Sequence, residues 1–206
     1  GFLGQEGGSA IADILVGRVN PSGKLPITIP KQLADSPSSA YFKGQEDKID
    51  YSKVGIFEGY RGYDAKGIKP LFPFGHGLSY TKFQYSDLKL SLNRGDPRDP
   101  EVRVSMTLTN SGKVSGADVV QLYVQEKSPS VPRPPQELKG FEKVALKPGE
   151  SRVIGFTLSV EAFRYWNVDT HAWKVNPGQF NLRLGSSSRD IRLKASLVLG
   201  KPRKRK

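Results

Sequence analysis

The stretch Glu58-Gly59-Tyr60-Arg61-Gly62-Tyr63-Asp64 gathers two carboxylates, a guanidinium and two phenol rings into one short run. Residues of these types can form a sugar subsite, with aromatic faces stacked on pyranose rings and charged groups binding hydroxyls. They suit equally a buried ion pair that anchors a connecting segment on a domain surface, since a carboxylate leaving water needs a cation and hydrogen bonds. Glu58, Arg61 and Asp64 are therefore candidate binding residues, with the anchoring role favoured. His76 stands between Gly75 and Gly77, which points to a tight bend, and no neighbouring Ser and Asp complete a nucleophilic triad with it. A packed loop histidine is expected, with the rim of the active-site pocket as its alternative. Glu6 lies among glycines at the start of a helical pattern, where the helix dipole favours an anion. It is read as a first-turn or loop-orienting carboxylate, without a catalytic role. Trp166 and Trp173 could form an exposed sugar platform. Their place beside alternating strands favours core or inter-domain packing.

The elements that must hold these residues differ along the chain. Ile11, Ile14 and Leu15 fall at helical spacing, with Ser9 as the expected N-cap and Gly17 placed to end the helix in a left-handed conformation. Asn20-Pro21-Ser22-Gly23 signals a turn, and "KLPITIP" a short strand whose prolines confine it to an edge or an end. Helix, turn and strand form the closing unit of an α/β layer and cannot bury a core alone. The opening, without an initiator Met, reads as the interior of something larger. Residues 31–85 show no sustained period, yet Tyr41, Phe42, Tyr51, Phe57, Tyr60, Tyr63, Phe72, Phe74, Tyr80 and Phe83 make them too aromatic for a disordered linker. They are expected to lie packed against their neighbours.

From about Ser86 the pattern is strands. Val102, Val104, Met106 and Leu108 alternate with Arg103, Ser105, Thr107 and Thr109, a half-buried strand. Phe180, Leu182 and Leu184, then Ile191, Leu193, Ala195 and Leu197, are assigned to inner faces. About seven short strands bounded by turn signals predict a β-sandwich of immunoglobulin or fibronectin type III kind; the missing Cys pair favours the latter. The fold class is mainly β. The expected organisation is an α/β tail over 1–30, a packed linker over 31–85, the sandwich over 86–199 and a basic disordered tail over 200–206.

Composition narrows the function. The chain has no cysteine, which excludes disulfides, thiolate zinc sites and a catalytic thiol. Its two histidines, His76 and His171, make a His-rich metal site a poor fit, and no cofactor or metal is expected. No stretch approaches the roughly 20 apolar residues of a membrane helix, so no membrane partner is expected. Of the net charge of +12, residues 1–80 carry +1, from nine Lys/Arg against eight Asp/Glu, leaving +11 for residues 81–206. Five of those charges sit in the terminal "KPRKRK", which lacks the aromatic platform that nucleic-acid binders use. A nucleic-acid or anionic-polymer binder would need Lys and Arg on one face, whereas here they alternate along several strands. A stand-alone carbohydrate-binding module would need a row of exposed aromatics on one sheet face.

Four stretches in order, "GQEGGSAIADILVGRVNPSGKLPITIP", "GIFEGYRGYDAKGIKPLFPFGHGLSYTKFQYSDLKLS", "GADVVQLYVQEKSPSVPRPPQELKGFEKVALKPGESRVIGFTLS" and "PGQFNLRLGSSSRDIRLKAS", closely resemble the C-terminal third of three-domain glycoside hydrolase family 3 enzymes, the β-glucosidase and β-xylosidase group. The resemblance implies a TIM-like barrel first, an α/β sandwich second and a fibronectin type III-like domain last. It implies that the nucleophilic Asp and the acid/base Glu both lie upstream, so that this chain is a fragment without the catalytic pair. Retaining hydrolysis needs two carboxyl groups about 5–5.5 Å apart. The implied parent enzyme releases non-reducing terminal β-linked sugars, glucose above all, from oligosaccharides or aryl glycosides through a covalent intermediate. An extracellular or periplasmic location is the one the family suggests.

Overall fold

A computed structural model describes residues 3–42, 51–93 and 101–200. The "KPRKRK" tail and the "GQEDK" stretch of the linker lie outside them. Helix α1 (Gly7–Leu15) is followed by 3-10 turns and the short helix α2 (Tyr60–Ala65). Then come β1 (Phe83–Asn93), β2 (Glu101–Asn110), β3 (Gly116–Glu126), β4 (Glu137–Leu146) and β5 (Ser151–Leu158). The chain closes with β6 (Tyr165–Asn167), β7 (Ala172–Lys174), β8 (Gly178–Gly185) and β9 (Ile191–Leu199).

Two expectations at the N-terminal end are corrected. The helix starts at Gly7, with Glu6 in the capping position, so Ser9 lies inside the first turn and donates its hydroxyl to Glu6 Oε2 at 3.2 Å. "KLPITIP" is no strand. Leu25 and Ile29 exchange peptide hydrogen bonds with Gly75, His76, Leu71 and Phe72, but only Ile29 and Phe72 pair as an isolated bridge among the described residues. Pro26 and Pro30, facing a partner that contains Pro70 and Pro73, lack the N–H groups a ladder needs. Gly17, at φ +78°, takes the left-handed conformation expected of it.

The strands form a three-stranded sheet, β1-β2-β5, packed on a four-stranded sheet, β4-β3-β8-β9; β6 and β7 make a separate hairpin. Seven strands in two antiparallel sheets realise the predicted sandwich. Val102, Val104, Met106 and Leu108 are all buried in the core with Val120, Leu122, Val124, Ile154, Phe163, Phe180, Leu182 and Leu184. Ile191, Leu193, Ala195 and Leu197 are only half buried, because β9 is an edge strand. At the end of β2, Asn110 is fully buried. Its amide donates to Val114 and Leu146 carbonyls and its oxygen accepts from the Thr81 hydroxyl and Gly112 N–H, so a group that would be costly if unmet is fully satisfied.

Strand β3 is buried on both faces. Val120, Leu122 and Val124 point into the core, while Gln121 and Tyr123 are buried on the opposite side. What covers that opposite side is the aromatic segment around α2 and Phe74.

Candidate functional site

Helix α2 carries the residues first singled out. Gly59 leads into it with φ +57°, and the helix is too short to persist on hydrogen bonding alone; its contacts hold it. Tyr60 stacks on Phe74 with centroids 4.8 Å apart and meets the ring of Tyr123 edge-on at 6.0 Å. Its hydroxyl accepts the Leu138 N–H at 2.8 Å. Asp64 pairs with Arg189 Nε at 2.7 Å and accepts from Gln136 Nε2 at 3.0 Å. Burial pushes the Asp64 carboxyl above the usual carboxylate range, against the pull of Arg189 and Gln136.

The opposing surface is the turn 186–190 between β8 and β9. Ser186, Ser187 and Ser188 are all buried. Gln136 also donates to the Ser188 carbonyl, and Gln121 donates to those of Ser186 and Gly75. Ser188 N–H returns a bond to Phe74 at 3.0 Å. The α2 region and the sandwich thus share one polar network, in which the Arg183 Nε, on the guanidinium that donates to Gln136, stays buried without a hydrogen-bond partner among the described residues. Asp64 spends its carboxylate on Arg189 and Gln136 across this boundary. Arg61 lies 5.8 Å from the Tyr60 ring centroid, and its Nε is buried without a hydrogen-bond partner among the described residues. Glu58 is exposed; with Asp35 it helps burial raise the pKa of the Tyr63 hydroxyl.

A second junction ties the N-terminal segment down. Asn20 donates to the Ser115 carbonyl at 3.0 Å and accepts from Ser79 Oγ at 3.0 Å and Tyr80 N at 2.8 Å. Tyr80 reaches on to the Ile14 carbonyl in α1 at 2.7 Å. Lys24 meets the buried Asp118 at 2.9 Å, and Asp118 also accepts from Tyr85. Burial first, then Asp118, drives the Tyr85 hydroxyl far above its ordinary pKa. His76 belongs to this junction: its ring stacks on Phe72 at 5.1 Å and lines a polar cleft. The ring is therefore packed against the loop and borders a cleft within this chain.

Of the two packings expected for Trp166 and Trp173, the core one is not what the structure shows. They face each other across the β6–β7 hairpin, edge to face at 5.6 Å, and are 46% and 59% exposed. The hairpin belongs to neither sheet, so its cross-strand pair turns away from the core. Among the described residues no group of three His, Asp or Glu could hold a metal ion.

Sequence reasoning missed Asn20, Gln121, Gln136 and Arg189, the residues that make both junctions. A signal existed for Gln121, a lone amide inside the apolar run "VVQLYV". A polar residue there must meet a second buried surface.

The molecule is therefore a fibronectin type III-like sandwich clamped to a helical and looped N-terminal segment. Residues 118–188 match the fibronectin type III-like domain, and residues 1–80 match the glycosyl hydrolase family 3 C-terminal domain. The chain is 52% identical over 195 residues to the thermostable beta-glucosidase B of Acetivibrio thermocellus, covering 94% of this chain and 25% of that protein. It is 42% identical to the exo-alpha-(1->6)-L-arabinopyranosidase of Bifidobacterium breve, over 92% of this chain and 24% of that one. The crystal structure of the Bifidobacterium adolescentis GH3 beta-glucosidase superposes with a TM-score of 0.87 at 42% identity, covering 95% of this chain and 28% of that one. The chain belongs to glycosyl hydrolase family 3. It spans about a quarter of the length of these relatives.

Proposed function

We propose that this chain serves as the C-terminal part of a longer retaining glycosidase that releases non-reducing terminal β-D-glucosyl or related residues, and that its own part is to brace the domain interface without supplying the catalytic pair. The observation that carries this reading is coverage. A relative 52% identical and named a beta-glucosidase is nearly four times as long, since the match spans 94% of this chain and 25% of that protein. The two junctions support a bracing role, because Asp64 and Tyr60 of α2 are engaged with Arg189, Gln136, Leu138 and Tyr123 of the sandwich. On this reading the segment does not choose the sugar, for its identity to enzymes named for a glucoside and for an arabinopyranoside is 52% and 42%. The organisation proposed is an α/β tail over 1–30, a linker over 31–85 and a sandwich over 86–199.

An exchange tests it. Grafted in place of the matching quarter of the Bifidobacterium breve enzyme, this chain should leave an active arabinopyranosidase with unchanged sugar preference. A switch toward glucosides would overturn the reading. The exposed Trp166–Trp173 pair favours one rival, a carbohydrate-binding module, which retention of insoluble glucan by this chain alone would support.

A further inference from the structure

A half-open cleft of about 400 Å³ lies where the N-terminal turn, the 76–82 loop and the sandwich meet. Its size falls within the ~300–1,000 Å³ of small-molecule sites. Its walls carry Ser22, Lys24, His76, Asp118, Ser187 and Arg192. The two inner cations each face a carboxylate, Lys24 at 2.9 Å from Asp118 and Arg192 at 2.7 Å from Asp190. An anion at these inner cations would have to break the pairs, and otherwise has only the exposed Lys82 to sit beside. A hydroxyl can instead donate to the carboxylate while accepting from its cation. Phe83 and Leu78 add an apolar wall on which a C–H face can rest. Two polar groups remain unengaged: the His76 imidazole and the Ser22 hydroxyl make no hydrogen bond among the described residues.

We propose that this cleft is a non-catalytic site for a neutral polyhydroxylated ligand of monosaccharide size, bound by the Lys24–Asp118 pair with His76 and Ser22. The proposal stands apart from the parent enzyme's activity, because binding is read on this chain by NMR and not by turnover. In a titration of the 15N-labelled chain with D-glucose, the amides of Gly77, Ser79 and Ser187 should shift saturably, with a dissociation constant on the order of millimolar. His76→Phe keeps the stack on Phe72 and removes both ring nitrogens. It should weaken binding about tenfold, the effect of one hydrogen bond. Ser22→Ala should act likewise, and either variant that retains a dispersed spectrum suffices. Linear shifts, saturation by inorganic phosphate but not by glucose, or wild-type affinity in both folded variants would overturn the proposal.

Discussion

The side-chain amide of Gln121 reaches out of β3 to the peptide oxygen of Gly75, 3.3 Å away, across the boundary between sandwich and linker. Gly75 sits at φ +79°, and a Cβ there would run into the Gln121 amide. That amide is also held by the Ser186 carbonyl and the Tyr123 hydroxyl, so it cannot swing aside freely. Gly75→Ala should therefore cost about 2–5 kcal/mol, the sum of left-handed strain and a displaced buried amide. Gly149→Ala, at φ +76° with open space around it, should cost only the strain, about 1–2 kcal/mol. Equal urea midpoints for the two variants would remove the contact from the account.

Met106 is buried opposite Ile154, and the next residue, Val153, points outward from the same sheet. Met106→Asp places an unpaired charge in the core and should cost several kcal/mol, whereas Val153→Asp should stay within about 0.5 kcal/mol. Urea unfolding of both checks the register, and equal losses would contradict it.

Acid stability carries two opposite signs. Hydrogen bonding to Arg192 holds the Asp190 carboxyl below the usual range, so its contribution is present above the ordinary value near ~4 and is lost as pH falls through its depressed pKa. Burial raises Asp64; its contribution is full below that ordinary value and fades as pH rises through its raised pKa. Asp190→Asn should flatten the loss of stability between neutral pH and about pH 3, and Asp64→Asn should steepen it. Urea midpoints measured across that range decide both.

How far the sequence reaches is visible in the same residues. The sandwich was legible because alternation along β2 and β8 maps directly onto burial. Helix α2 was not. Its six residues are held by partners 72 and 78 positions away, Gln136 and Leu138, and no local pattern encodes such contacts. For the Trp pair the sequence left core and inter-domain packing open, because alternation shows that two residues share a face without showing which way a detached hairpin turns. "KLPITIP" alternates as a strand does, but its prolines remove the donors.

The buried core cluster lies wholly between Tyr85 and Leu199. A fragment of residues 83–200 should consequently unfold in one cooperative urea transition. Its midpoint should lie below that of the whole chain, because Gln121, Tyr123 and Gln136 lose their cover. A broad, non-cooperative transition would show that the sandwich needs the linker to fold.

The central claim, that this chain braces a glycosidase without being its catalyst, is tested most directly by turnover. Purified protein incubated with 4-nitrophenyl β-glucoside and β-xyloside at several pH values should release no nitrophenol above background, since loss of catalytic groups costs orders of magnitude in rate. Turnover that survives purification to homogeneity and vanishes in Glu6→Gln or Glu58→Gln would contradict the account and make that glutamate a catalyst.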